Sequence, residues 1–178
     1  PWIANLNPFE SRHLFNSRKV FKNPMVKDMY EDLNKNIGRE IYVGEWQKID
    51  QECINQFADV TGDQQWIHTD LERAEKESPF KTTIAHGFLT LALLPKLTDV
   101  ANARTNLYPK ARLIINYGLN QVRFPFPVKS GSRVRARIKL KNLTPLEKSI
   151  EVINEVSVEV EKRKRFACVA ITVLRLYF

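Results

Sequence analysis

Cysteine is scarce in this chain of 178 residues, and its pattern argues against two classes of protein. Only Cys53 and Cys168 occur, far apart and without the spacing of zinc ligands, so neither a disulfide scaffold nor a zinc site is expected. No run of about 18 apolar residues exists to span a membrane, and no apolar signal segment is visible. We therefore expect a cytoplasmic protein that does not enter the membrane.

Several motifs of catalysis and binding are also missing. No G-x-S-x-G elbow marks a nucleophilic serine, and no G-x-G-x-x-G or phosphate loop marks a nucleotide cofactor. The net charge is +8, but no aromatic residue lies among the basic residues between Lys129 and Lys141, where nucleic-acid binding would need one. We expect no nucleic-acid partner. The positive excess suits a ligand that carries phosphates, or an acidic carrier protein.

The second half of the sequence has the period-two alternation of β-strands. SRVRARIKLKN carries a basic face and SIEVINEVSVEVEK an acidic one, which favours antiparallel pairing around a turn near Thr144-Pro145. FACVAITVLRLYF is apolar on both faces and is predicted to lie inside the sheet, with KRKR at 162–165 as a hairpin tip. INYGLNQVRFPFPV predicts a further strand that ends near Pro125.

Helix signals dominate the first half. Asp50 is predicted to cap a helix that Gly62 ends, and Asp70 to cap the next. From Phe88 to Leu97 nearly every residue is apolar, which predicts one long helix buried on all sides, bent or interrupted by Pro95. The result is an α+β chain with a sheet curled around a helix. Residues 1–30 are interpreted as an N-terminal arm and residues 31–178 as the domain.

The stretch TGDQQWIH holds the first candidate site residues, Asp63 and His68, in a predicted loop between two helices. A carboxylate and an imidazole in one small volume can perform acid–base chemistry, with Trp66 and Ile67 as apolar walls. The alternative is that Asp63 bonds local backbone amides and His68 only packs. His68-x-Asp70 also has the spacing of metal ligands, but Asp70 suits a helix cap better, so no metal is expected.

A second candidate is Gly87, which follows His86 at the start of the apolar helix. The first amides of a helix have no partner within it, and glycine has no side chain to block an approaching oxyanion. The alternative is that this glycine only permits tight packing.

Together these residues resemble the MaoC-like dehydratases, and among them the nodulation protein N-like group. The resemblance rests on FADVTGDQQWIHTDLERAEKESPFKTTIAHGFLTLALLPKL and on INYGLNQVRFPFPVKSGSRVRARIKL, and it covers about residues 38–178. It implies a hot-dog fold, in which a curved antiparallel sheet wraps a long central helix, and a homodimer with active sites near the subunit interface.

The resemblance also implies a reaction. Related enzymes are (R)-specific enoyl-CoA hydratases, so Asp63 and His68 would activate a water that adds to C3 of a trans-2-enoyl thioester, giving the (3R)-hydroxyacyl thioester, or the reverse. Gly87 would polarise the thioester carbonyl. The substrate would be linked to coenzyme A or to an acyl carrier protein, with no metal and no other cofactor.

One departure concerns the substrate contacts, which are predicted to include Gln65, Trp66 and His86. The hydratases usually have Asn-Pro where this chain has Gln65-Trp66, and Trp66 is expected to reshape the acyl pocket. The alternative function is a hot-dog thioesterase or a non-catalytic acyl-thioester binding protein. Such a thioesterase more often uses a carboxylate on the central helix, and none lies between Gly87 and Lys96.

Overall fold

The computed structural model of the protein describes residue 21 and residues 23–100, 107–108 and 110–178. Helices occupy the first half of this part of the chain and long strands the second. The helices are α1 (Pro24–Asn34), α2 (Gln51–Thr61), α3 (Trp66–Thr69), α4 (Leu71–Glu77), α5 (Gly87–Ala92) and α6 (Leu94–Leu97). The strands are β1 (Glu40–Val43), β2 (Gln47–Ile49), β3 (Leu113–Arg123), β4 (Ser132–Pro145), β5 (Ser149–Val160) and β6 (Phe166–Tyr177). None of the described helices combines the length and apolar character needed to cross a bilayer.

The strands form one antiparallel sheet in the order β1-β4-β5-β6-β3, with β2 also paired to β4. The predicted pairing of the basic and acidic strands is confirmed, and β6 lies inside the sheet as its apolar faces indicated. β4 continues through the predicted turn position to Pro145, so the turn lies at residues 146–148.

Charged residues face each other across the β4–β5 hairpin. Arg135 lies opposite Glu159 in the strand register, with 2.6 Å between the Arg135 Nε and a Glu159 carboxylate oxygen. On the other face of β4, apolar side chains alternate with the charged ones and are buried, namely Val134, Ala136, Ile138 and Leu140. The alternation thus divides the hairpin into a charged face and a core face.

The core lies between this sheet and the helices. One cluster joins Ile54 of α2, Leu89 of α5 and Leu97 of α6 to the strands. A second cluster places Met29 of α1 against Leu140 of β4, among others. The boundary predicted between residues 30 and 31 falls inside α1. Residues 1–20 of the predicted arm lie outside the described residues.

The apolar segment Phe88–Leu97 is interrupted, as Pro95 predicted, and does not form one continuous helix. It is two short helices, α5 and α6, which meet at Leu93. Pro95 lies in the first turn of α6, where its missing amide hydrogen costs no hydrogen bond, so a new helix begins there. The prediction that this segment is buried on all sides is wrong, because Phe88 is 70% exposed.

The strand β3 lies at the edge of the sheet next to β6, and it is more exposed than the strands inside the sheet. Among the described strands it pairs only with β6, and most of its side chains are exposed on both faces. Four large apolar residues are among them, namely Leu113, Ile115, Tyr117 and Leu119. A long edge strand with exposed apolar residues is a surface that other proteins usually cover.

Candidate active site

The predicted caps that place Asp63 are confirmed. The Asp50 side chain accepts a hydrogen bond from the Cys53 amide and begins α2. Gly62 ends the helix in the left-handed conformation, φ 75°, and its amide donates to the Ala58 carbonyl. A residue with a β-carbon is disfavoured in this conformation. The chain therefore turns sharply at Gly62, and Asp63 follows with its side chain 55% exposed.

The predicted loop from Asp63 to His68 is shorter than expected. Only Gly62–Gln65, which we name the site loop, is irregular, because Trp66–Thr69 forms the single-turn helix α3. The His68 amide donates to the Gln65 carbonyl and the Asp70 amide to the Trp66 carbonyl. Asp70 then caps α4, as predicted, by accepting from the Arg73 amide. Because Gly62 ends α2 and Asp70 begins α4, the segment between them has room for only one helical turn.

One hydrogen bond sets the tautomer of His68. Its Nδ1 lies 2.7 Å from the Ile84 carbonyl oxygen, which can only accept, so Nδ1 carries the proton. Nε2 then keeps a lone pair that can take a proton from another molecule. Burial lowers the pKa of His68 below its ordinary 6.5, and the bond to Ile84 opposes this shift. His68 is thus held as a neutral base.

His86 contacts both Asp63 and His68. It is buried, and its Nε2 donates to the Asp63 backbone carbonyl at 3.0 Å. Its ring stacks on that of His68 with 3.8 Å between the ring centroids. The Nδ1 of His86 is buried and has no hydrogen-bond partner within the described residues. His86 therefore links the site loop to the turn that begins α5.

Asp63, His68 and His86 each place one polar atom within 4.8 Å of the others, a grouping that raises the question of a metal ion. The lone pairs of imidazole nitrogens lie in the ring planes, and the two stacked rings are only 29° apart, so their lone pairs do not converge on one point. A zinc ion needs each nitrogen at about 2.0–2.1 Å. The arrangement suits proton transfer better than coordination of a metal.

A cleft of about 200 Å³ opens beside His68. Gly87, Phe124 and Phe126 line it together with His68. A β-carbon on Gly87 would lie 2.8 Å from the Phe124 ring, so a side chain there would push this wall of the cleft aside. The glycine therefore allows tight packing, and its backbone borders the cleft that His68 also lines, while its role as an oxyanion donor stays a prediction.

The predicted substrate contacts Gln65 and Trp66 lie apart from this cleft. Gln65 is exposed and comes directly before α3, without a side-chain cap. The Arg73 guanidinium stacks over the Trp66 ring, 4.5 Å from its centroid. Arg73 belongs to α4 and Trp66 to α3. Because a helix boundary separates them, the periodicity of the sequence does not predict this contact. The third histidine of the chain, His13, lies outside the described residues.

The family model of the MaoC-like domain matches residues 32–162. The chain belongs to the MaoC-like domain family. This membership confirms the resemblance seen in the sequence, and it makes the protein an enzyme of the hydro-lyase class, a hydratase or dehydratase.

Two MaoC-like relatives match most of the chain. The 3-hydroxyacyl-thioester dehydratase Z of Mycobacterium tuberculosis strain H37Rv is 47% identical over 145 residues, which are 81% of this chain and 93% of that protein. Nodulation protein N of Rhizobium leguminosarum bv. viciae is 46% identical over 143 residues, 78% of this chain and 85% of that protein. The solved (R)-hydratase from A. caviae has a TM-score of 0.62 at 19% identity and covers 78% of this chain and 94% of its own. Its likeness confirms the hot-dog fold.

Proposed function

We propose that the protein adds water to a trans-2-enoyl thioester to give the (3R)-hydroxyacyl thioester, or catalyses the reverse dehydration. One observation carries the proposal: His68, whose Nδ1 is bonded to the Ile84 carbonyl, has a ring nitrogen within 4.8 Å of an Asp63 carboxylate oxygen. The names of the 3-hydroxyacyl-thioester dehydratase Z and of the solved (R)-hydratase support the same chemistry.

Proton transfer follows from these two side chains. Asp63 and the Nε2 of His68 hold a water by accepting its two hydrogens. As the water oxygen bonds to C3, His68 takes one of its protons and the electrons of the C2–C3 double bond move toward the thioester carbonyl. His68 then returns that proton to C2. The enzyme ends as it began, and neither a metal nor a redox cofactor takes part; coenzyme A enters only as part of the substrate.

Gly87 has the role of an oxyanion donor in this proposal. Its amide borders the same cleft as His68, and no acceptor for it is found within the described residues. The donor acts as a single directed N–H group, since α5 has only six residues and therefore a small dipole. Loss of such a donor typically costs about 3 kcal/mol of transition-state stabilisation.

His86 acts through Asp63. Its hydrogen bond to the Asp63 carbonyl and its stacking on His68 hold the two catalytic groups at a constant separation. That Gln65, Trp66 and His86 also contact the substrate stays a prediction.

A homodimer is part of the proposal. The apolar residues of β3 and Phe88 are exposed and not covered by the part of the chain that the structure describes, and a second copy would bury them. A cytoplasmic location is proposed as well, and the free thiols of Cys53 and Cys168 support it.

The test follows the loss of absorbance of the conjugated enoyl thioester, with crotonyl-CoA as the substrate. We expect loss with the wild type and with Asp28→Asn, a control that removes an exposed carboxylate from α1, and almost none with Asp63→Asn. Full activity of Asp63→Asn would remove the assignment of this residue. Release of free thiol by the wild type, without hydration, would show a thioesterase instead.

A further inference from the structure

The charged residues of the β4–β5 hairpin are largely paired, whereas those of the turn after β5 are not. Ion pairs join Arg133 to Glu161, Arg135 to Glu159, and Lys141 to Glu155 along the β4–β5 hairpin. The turn between β5 and β6 holds four consecutive basic residues, Lys162–Arg165, which we name the basic turn. All four are exposed, and none forms an ion pair with any residue that the structure describes.

The backbone holds the basic turn in one shape. The Arg163 amide donates to the Val160 carbonyl at 3.0 Å, and Lys162 adopts the left-handed conformation that closes the turn. The Glu161 amide, just before it, donates to the Arg133 carbonyl of β4. Four positive charges are therefore kept close together, although their mutual repulsion disfavours this.

The basic turn lies next to the cleft of the candidate active site. The Arg165 guanidinium stands over the ring of Phe126, 5.9 Å from its centroid. Phe126 lines the cleft together with His68 and Gly87. One aromatic ring thus separates an unpaired guanidinium from the cavity in which the thioester would react.

We propose that the basic turn binds the phosphate groups of the thioester's carrier, and that Arg165 determines the preference for phosphate-bearing substrates. This rests on the proposed function, because it assumes that the acyl thioester lies at His68 and Gly87 and that its pantetheine arm leaves the cleft over Phe126. Both coenzyme A and the prosthetic group of an acyl carrier protein carry phosphate on this arm. A guanidinium recognises phosphate through paired N–H donors.

The first experiment compares kcat/KM for crotonyl-CoA with kcat/KM for crotonyl-pantetheine, which lacks phosphate. We expect the ratio to fall about threefold to tenfold in Arg165→Gln, as for an exposed charge-assisted contact. The control is Lys148→Gln, which removes one exposed positive charge from the turn at the other end of β5, roughly 40 Å away by the rise of a strand. This control should leave the ratio unchanged. A ratio in Arg165→Gln equal to that of the wild type, with crotonyl-CoA hydrated by both, would overturn coenzyme A as the phosphate source and leave the proposed function intact.

The second experiment needs no turnover. Titration of free coenzyme A into the wild type, Arg165→Gln and Lys148→Gln should show weaker binding only for Arg165→Gln, with a difference that shrinks as salt is raised. This result in a protein that hydrates no enoyl thioester would refute the proposed function while supporting phosphate binding at the basic turn. Equal affinity of all three proteins for coenzyme A would overturn coenzyme A as the phosphate source. A loss of kcat/KM confined to crotonyl-carrier protein would then assign the phosphate to the carrier protein, and no loss there either would overturn the inference entirely.

Discussion

The β4–β5 hairpin and the candidate active site satisfy their polar groups to different degrees. In the hairpin, almost every second side chain is apolar and faces the core. On the charged face, Arg133 pairs with Glu161 and Arg135 with Glu159.

At the site, the exposed Asp63 carboxylate forms no ion pair with a lysine or arginine among the described residues, and the Nδ1 of buried His86 has no hydrogen-bond partner there. The hairpin has one exception of its own, because the Oδ1 of buried Asn154 in β5 has no hydrogen-bond partner among the described residues. Its charged face is nevertheless largely paired, whereas the reactive groups of the site are not.

This difference separates the residues that hold the fold from those that perform chemistry. Reactive groups need unused lone pairs and a shifted pKa, and each of these disfavours the folded state. His68 is held by its hydrogen bond to the Ile84 carbonyl, and His86 by its hydrogen bond to the Asp63 carbonyl. Each bond uses one ring nitrogen and leaves the other available. Substitutions in the two regions should therefore act on different measurements.

The largest expected effect is that of Asp63→Asn on turnover. Loss of the carboxylate should lower kcat by about 10²- to 10⁴-fold. The free energy of unfolding should change by less than about 0.5 kcal/mol, because the side chain is exposed. Steady-state kinetics and urea unfolding of the same sample test both parts. A fall of several kcal/mol in the free energy of unfolding of Asp63→Asn would show that Asp63 holds the fold as well, and would contradict the proposed difference between the two regions.

Leu140→Ala should produce the opposite pattern. The side chain is fully buried between β4 and α1, so its truncation should lower the free energy of unfolding by about 2–5 kcal/mol. The matched control is Leu71→Ala in α4, where the leucine is mostly exposed and the loss should be small. Urea unfolding measures both, and a loss at Leu71 as large as that at Leu140 would contradict the assignment of the core.

His86 tests whether the buried histidine positions the catalytic pair. His86→Leu removes the donor to the Asp63 carbonyl and should lower kcat about tenfold or more with little change in KM. His86→Gln keeps an N–H donor on a similar side chain and should restore part of the loss. An identical kcat in both variants would show that packing alone matters at this position.

The pH dependence of kcat/KM reports on His68. Burial lowers the pKa of this imidazole, so it becomes protonated, and useless as a base, only at a pH below its ordinary 6.5. The acid limb of the profile should therefore have its midpoint below 6.5. The same shift should make the folded state less stable as pH falls from 6.5 toward the lowered pKa, because the unfolded chain binds the proton more readily. A midpoint above 6.5 would contradict the desolvated base.

The smallest expected effect is that of Arg135→Gln in the hairpin. Its ion pair with Glu159 is partly exposed, so the free energy of unfolding should fall by only about 0.2–1 kcal/mol. Urea unfolding in low and high salt measures it, and the difference from the wild type should shrink in high salt. A loss of several kcal/mol would mean that the charged face stabilises the hairpin as strongly as the core does.

Much of this architecture was legible in the sequence because it depends on short-range patterns. Alternation with a period of two predicted the strands, and Asp50, Gly62 and Asp70 predicted the helix ends. The predictions that failed concern the burial of the apolar segment and the length of the loop after Gly62. Apolar character along Phe88–Leu97 does not show whether another chain, rather than the sheet, covers Phe88. Nor does the stretch TGDQQWIH reveal that its last three residues belong to the helical turn α3.

The sequence by itself determined the residue types of the site and the spacing of Asp63 and His68. It also determined the helix ends at Gly62 and Asp70, which keep Asp63 and His68 near each other. Only the tertiary structure decided that His86, 18 residues later, stacks on His68, and that the Ile84 carbonyl selects the tautomer of the base. The tertiary structure likewise placed Arg165 beside the cleft. The reason is physical: caps and alternation act over a few residues, whereas these contacts arise only when the sheet packs on its helices.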